Sequence, residues 1–84
     1  MFKVYILQSL KNQRYYIGHT EDMDERLRKH NGGSVKSTKF GRPWKIIRTE
    51  DCATKSEAAT REMEIKKYKG GILFKKLIGL WKES

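Results

Sequence analysis

The sequence offers little from which to build a covalent scaffold or a membrane anchor. Cys52 is the only cysteine among 84 residues, which excludes an internal disulfide and a cysteine-based zinc cluster. There is no apolar run of about 20 residues to span a bilayer. Met1-Phe2-Lys3 passes straight into a strand-like pattern without an apolar signal region, so a cytoplasmic protein with no membrane role is expected. Negative charge is scarce as well: 10 Asp and Glu stand against 19 Lys and Arg, a net charge of +9. That imbalance suits a nucleic-acid partner, because clustered cations attract phosphate backbones and lose the attraction steeply as salt rises.

What is present reads as one small domain spanning residues 1–84, since roughly 100 to 200 residues per domain is usual. With 37% hydrophobic against 35% charged residues, the core must be thin and the surface heavily charged. Residues 2–9 and 14–20 are rich in β-branched and aromatic types and flank the polar Leu10-Lys11-Asn12-Gln13, the pattern of a β-hairpin. Both strands are apolar at consecutive positions, which predicts that helices cover both faces of the sheet. Asp22 with Glu25 predicts a capping box and a helix over about 22–31, stopped by Gly32-Gly33. Residues 34–43 predict an exposed, basic loop and Trp44 to Thr49 a third strand. Thr54 with Glu57 predicts a second capping box on a helix reaching about Tyr68, before Gly70-Gly71. Leu73, Leu77, Leu80 and Trp81 recur at helical spacing and predict a last short helix. The fold class is therefore α+β, order ββαβαα: a small three-stranded antiparallel sheet flanked by helices.

Several residues on these elements carry chemistry. If Tyr5 pairs with Gly18 and Tyr16 with Leu7, both phenols project from one face of the hairpin, and a one-residue slip separates them. In the productive register Gly18 would leave room beside the rings for a phosphate; half-buried strand tyrosines are the plain alternative. On the first helix Arg26 and His30 are four apart and share a side. A guanidinium there suits a phosphate, and the imidazole a contact or a proton transfer; a solvated basic face is the alternative. Glu62 has Ala58 and Ile65 at i−4 and i+3, which puts a carboxylate on the inward stripe of its helix. It needs a partner there: a hydrated Mg²⁺ (or Mn²⁺), or a salt bridge to Arg61, Lys66 or Arg26. His19 follows the second tyrosine strand closely enough to reach the same pocket. Lys36, Lys39, Arg42 and Lys45, with Phe40 and Trp44 between them, suit a nucleic-acid strand, cations on phosphates and rings on bases. For Trp44 burial in the core is the favoured alternative.

In this order the chain resembles the GIY-YIG nuclease superfamily, in particular small stand-alone bacterial members related to the nuclease domain of the excision-repair subunit UvrC. The Val4-Tyr5-Ile6-Leu7 strand stands for the first motif and Tyr16-Ile17-Gly18 matches the second. Glu25-Arg26, Arg28 and His30-Asn31 resemble the first-helix signature. Lys36-Ser37-Thr38-Lys39, Arg42-Pro43-Trp44, Ser56-Glu57-Ala58 and Arg61-Glu62 resemble the rest. The resemblance implies metal-dependent hydrolysis of DNA phosphodiesters, in repair or in the processing of structured DNA. Tyr5 and Tyr16 would handle the nucleophile, Arg26 the phosphate charge, His30 an auxiliary contact and Glu62 the metal. A free phenol of pKa about 10 is only about 0.1% ionised at neutral pH, so nearby cations must ease proton removal. The chain departs from the pattern in having Lys3-Val4-Tyr5 for Gly-Ile-Tyr, and in having no Asn after Asn31, where some of these nucleases use one. A catalytically weak or inactive module binding DNA or RNA through the same basic surface is the alternative function. With no room for a DNA-reading domain, a partner protein or DNA structure would choose the site.

Overall fold

The computed structural model of the protein describes residues 1–69 and 71–79. Three antiparallel strands form one sheet in the order β2-β1-β3, with β1 at Phe2–Ser9, β2 at Tyr15–Thr20 and β3 at Trp44–Cys52. Helix α1 (Met23–Gly32) follows the hairpin, α2 (Lys55–Tyr68) follows β3, and α3 (Ile72–Leu77) follows α2. The predicted ββαβαα order is the observed one. Gly70, Leu80 and Trp81 lie outside the described residues.

Strand β1 is the centre of the fold because neighbouring residues serve opposite faces. Val4 and Ile6 join Ile17, Ala58, Ile65 and Phe74 beneath α2 and α3. Tyr5 and Leu7 join Met23 and Trp44 on the α1 side. All four of these β1 residues are at most 1% exposed, so the consecutive apolar run reports a strand sealed from both sides. Each such aliphatic side chain contributes about 1.5–3 kcal/mol by leaving water.

The third strand is longer than the predicted Trp44 to Thr49. Glu50 and Asp51 are poor strand formers, yet β1 supplies backbone partners as far as Phe2 opposite Cys52. Their carboxylates are also neutralised: Lys3 pairs with Asp51 at 2.5 Å, and Glu50 accepts from Arg48 at 2.8 Å and Arg61 at 2.7 Å. Between Ile6 and Leu7 the register shifts, leaving Ile47 without an opposite number. This bulge lets Ile47 join the α2-side core.

The helix caps follow the predicted residues with altered detail. Asp22 Oδ1 accepts the Glu25 N–H at 3.0 Å, but the Glu25 carboxylate pairs with Lys29 at 3.2 Å instead of closing a box. Helix α1 stops at Gly33, whose φ of 81° is left-handed. On α2 Thr54 Oγ1 accepts the Glu57 N–H at 3.1 Å, and Glu57 reaches back to the Ala53 N–H at 3.1 Å. Helix α3 is rotated from the predicted stripe: Leu73 is exposed and Phe74 fills the core, with Leu77 half-buried. Among the described residues no helix is long and apolar enough to cross a membrane.

Candidate functional site

The hairpin adopts the register that brings the two phenols together. Tyr5 faces Gly18 and Leu7 faces Tyr16, so both rings stand on the α1 side with centroids 6.2 Å apart. The room expected beside Gly18 is filled by Tyr5 itself. A Cβ added at Gly18 would stand 2.6 Å from the Tyr5 hydroxyl and 3.2 Å from the Tyr16 ring. Gly18 is thus needed to let the Tyr5 phenol lie flat on the β2 backbone, and offers no vacancy for a phosphate.

Helix α1 delivers His30 beneath this pair. The imidazole is 0% exposed, with Nε2 at 3.0 Å from the Tyr5 hydroxyl and Nδ1 at 2.7 Å from Thr38 Oγ1. Thr38 donates its own proton to the Val35 carbonyl at 3.3 Å, so it must accept from Nδ1–H. Nε2 is then the acceptor and Tyr5 the donor. Burial, with the charge of Arg26, lowers the His30 pKa to about 4, which keeps the ring neutral at physiological pH. A direct contact between His30 and a phosphate, expected from its place beside Arg26, is not available to a ring so enclosed. Its Nε2 meets the Tyr5 hydroxyl instead.

Tyr5 carries the opposite perturbation. Burial and the proximity of Tyr16 push its pKa well above the ordinary phenol range, with Glu62 adding to the rise and Arg26 working against it. Arg26 and Glu62 are therefore both within electrostatic reach of the phenol. Arg26 is half-buried and makes no ion pair among the described residues. It lines a cavity of about 400 Å³ with His19, Thr20, Glu25, Lys29 and Lys55.

Glu62 reaches the site from α2 and its carboxylate is engaged at both ends. Oε1 lies 2.7 Å from His19 Nδ1, and Oε2 accepts from Lys66 Nζ at 2.7 Å. Of the three salt-bridge partners foreseen, only Lys66 is used; Arg61 is turned to Glu50, and His19 is the partner the sequence did not suggest. Burial works to raise the Glu62 pKa, but the hydrogen bonds and charges of Lys66 and His19 outweigh it and hold the carboxyl below its usual value. Among the described residues no three His, Cys, Asp or Glu side chains converge as a ligand set. A hydrated Mg²⁺ needs only one or two carboxylates, and each Glu62 oxygen keeps a second lone pair. The donor chemistry therefore fits such an ion once the Lys66 ammonium, on a half-exposed side chain, swings aside.

The basic segment between α1 and β3 is less exposed than predicted. Thr38 is 1% exposed, held between His30 and the Trp44 indole, whose Nε1 donates to the Thr38 carbonyl at 2.8 Å. Asn31 clamps Trp44 from the other side, accepting its N–H at 2.6 Å and donating to its carbonyl at 3.2 Å. Trp44 is thus a core residue, as its alternative reading had it. Lys36, Lys39 and Lys45 are exposed. Arg42 is folded back, its Nε donating to the Lys39 carbonyl at 2.8 Å and its guanidinium packed over Gly33. Thr38 and Asn31 are the site residues that sequence reasoning missed as such: nothing in a polar loop marks one threonine as buried.

Residues 1–75 match the family described as the GIY-YIG catalytic domain. A UPF0213 protein of Staphylococcus saprophyticus is 41% identical over 66 residues, covering 77% of this chain and 79% of the relative. One from Staphylococcus epidermidis is 46% identical over 54 residues, 63% of this chain and 66% of the relative. The solution NMR structure of a UPF0213 protein from Bacillus halodurans superposes with a TM-score of 0.58 at 33% identity, covering 95% of this chain and 85% of that one. With residues 1–75 matched and a relative 41% identical over most of both chains, the chain belongs to the GIY-YIG family.

Proposed function

We propose that the protein binds nucleic acid, gripping a phosphodiester at Arg26 beside the tyrosine pair, and that its capacity to hydrolyse the bond is weak. The carrying observation is Arg26: a half-buried guanidinium without an ion-pair partner among the described residues, in a chain of net charge +9. Such a group is available to a phosphate oxygen pair and gains strength from its low-dielectric surroundings. The exposed Lys36, Lys39 and Lys45 extend the attraction along a strand, with Arg42 and His19 in supporting places. Weak hydrolysis follows from the two groups on which the chemistry would depend. Tyr5 is a reluctant base, its proton already committed to a neutral His30 and its pKa raised. Glu62 meets two cationic or proton-bearing partners before any metal.

Hydrolysis of DNA is the second reading, favoured by the convergence of Tyr5, Tyr16, Arg26 and Glu62 on one electrostatic neighbourhood. An Mg²⁺ or Mn²⁺ ion held by Glu62 would supply charge neutralisation at the phosphate and an acidified water. The chain's own part would be to orient Tyr5 through His30, to hold the phosphate through Arg26, and to keep bulk water from the phenols. Repair or processing of irregular DNA, directed by a partner protein, is the setting in which such an activity would serve.

Salt-dependent binding and divalent-dependent cleavage, measured side by side, separate the two. Duplex, single-stranded, flap and branched DNAs are offered to the parent, Arg26→Ala, Tyr16→Phe and Glu62→Gln. Binding that weakens in Arg26→Ala, with little or no product from any chain, is the expected result. Turnover in the parent that disappears in Tyr16→Phe and Glu62→Gln would move the conclusion to the nuclease. No binding at low salt would remove both.

A further inference from the structure

A second cleft, of about 750 Å³, is lined by Tyr16 and shares no lining residue with the Arg26 cavity. Its volume falls within the roughly 300–1,000 Å³ usual for ligand sites. Tyr15, Tyr16, Phe40 and Phe74 line it, over a floor that includes Trp44. Tyr15 and Phe74 are locked edge to face at 5.0 Å, and Tyr16 packs on Trp44 at 6.5 Å, so the walls are preorganised. Phe40 is different: at 78% exposure its ring is given to solvent, with Lys39 Nζ 5.9 Å from its centroid.

The charges at this cleft are of one sign. Among the described residues Arg14, Lys69 and Lys75 line it and no carboxylate does, whereas the Arg26 cavity mixes Glu21, Asp22 and Glu25 with its cations. Lys69 spends one donor on the Tyr15 carbonyl at 2.9 Å, while the Arg14 and Lys75 side chains make no ion pair among the described residues. Aromatic walls, an exposed ring at the mouth and cations without anions are complementary to a ligand that is at once flat, apolar-faced and anionic. An unstacked nucleotide has that chemistry, and the base of a paired one is not available to such a cleft.

We propose that this cleft takes an unpaired nucleotide of the bound strand, its base against Phe40 and the tyrosine walls and its phosphates toward Arg14 and Lys75. The inference rests on the nucleic-acid reading above and adds the substrate class: strands with unpaired positions, bound in preference to uninterrupted duplex. Tyr16 and Thr38 each belong to both sites, one as a wall of the cleft and partner of Tyr5, the other as a wall and partner of His30. A nucleotide seated in the cleft therefore lies against a wall that packs on the Tyr5–His30 pair.

The test uses the full chain and two fluorescent probes, a single-stranded DNA of about twelve nucleotides and a blunt duplex of the same sequence, at one fixed salt concentration. The parent is expected to favour the single strand. Phe40→Ala, at an exposed position that leaves the core intact, is expected to lose roughly tenfold in affinity for the single strand and under about twofold for the duplex. Phe40→Trp should restore the preference, since the stacking surface returns, and Lys75→Ala should weaken the single strand more than the duplex. Equal losses on both probes in Phe40→Ala, or none on either, would overturn the cleft while leaving the nucleic-acid reading in place. A parent that binds neither probe would overturn both.

Discussion

The hydroxyl of Tyr5 and Nε2 of His30 lie 3.0 Å apart inside a region from which water is excluded, and the hydrogen bond between them runs from phenol to imidazole. Its direction is fixed from behind, because Thr38 must accept from the other ring nitrogen. Tyr5 consequently presents lone pairs, not a proton, to whatever lies in front of it. A sequence places these residues 25 positions apart; the hydrogen bond makes them one unit.

That unit carries a pH signature. The folded-state pKa of His30 is depressed from 6.5 to about 4, so between those values the unfolded chain binds more protons than the folded one. Stability should therefore be full above about pH 6.5 and fall as pH drops toward 4, by up to about 3 kcal/mol from this residue. In His30→Gln the baseline stability drops but this portion of the pH dependence disappears. Urea midpoints recorded from pH 7.5 to 4 would show it, and a parallel pH profile in both chains would contradict the assignment.

Gly18→Ala tests the packing of the phenol on β2. The new methyl meets the Tyr5 hydroxyl at 2.6 Å, and that ring is buried and hydrogen-bonded to His30 and cannot yield far, so a cost of about 1–3 kcal/mol is expected. Thermal unfolding measures it. Unchanged stability would mean that Tyr5 leaves the strand surface without penalty.

Glu50 ties β3 to α2 and, through Arg48, to the Leu77 carbonyl of α3. Hydrogen bonds from Arg61, against an opposing burial effect, and then from Arg48 hold its pKa below the usual value. Its contribution is present above the unfolded-state carboxylate pKa and is lost as pH falls through the folded one. Glu50→Gln should cost about 1–2 kcal/mol at neutral pH and little in strong acid, where the parent carboxyl is also protonated. Denaturation of the two chains at both pH values decides it.

Lys66→Met should make Glu62 more hospitable to a dication, because the competing ammonium on Oε2 is removed. The shift of unfolding temperature on adding Mg²⁺ is expected to grow, corresponding to a several-fold gain in affinity, and Glu62→Gln should abolish it. An Mg²⁺ response identical in all three chains would separate the ion from Glu62.

Much of the fold was legible because hydrophobic spacing and caps speak locally. The consecutive apolar residues of β1 announced a strand covered on both faces, and Asp22 and Thr54 marked two helix starts. The length of β3 was not legible: Glu50 and Asp51 oppose strand formation by themselves and are carried by pairing with β1 and by distant arginines. Glu62 stood out as a carboxylate on an inward stripe, but its partner His19 sits 43 residues away and no local rule connects them. The pairing of Tyr5 with Gly18 was one of several registers until the two-sided packing of the hairpin decided it. Thr38 and Leu73 show the same limit, since whether a loop hydroxyl is buried or a helix rotated depends on what lies opposite.

The central place of β1 has a consequence during synthesis. Its first neighbour, β2, leaves the ribosome almost at once, but its second neighbour begins only at Trp44. For the time needed to make the intervening residues, the edge of β1 from Val4 to Leu7 is without its β3 partner and open to any extended chain nearby. Completion of β3 closes that edge with a strand whose Glu50 is matched to Arg48 of the same strand and whose Asp51 meets Lys3 of β1. The growing chain is most prone to association in that interval, and the charged end of β3 favours its own sheet over a stranger's.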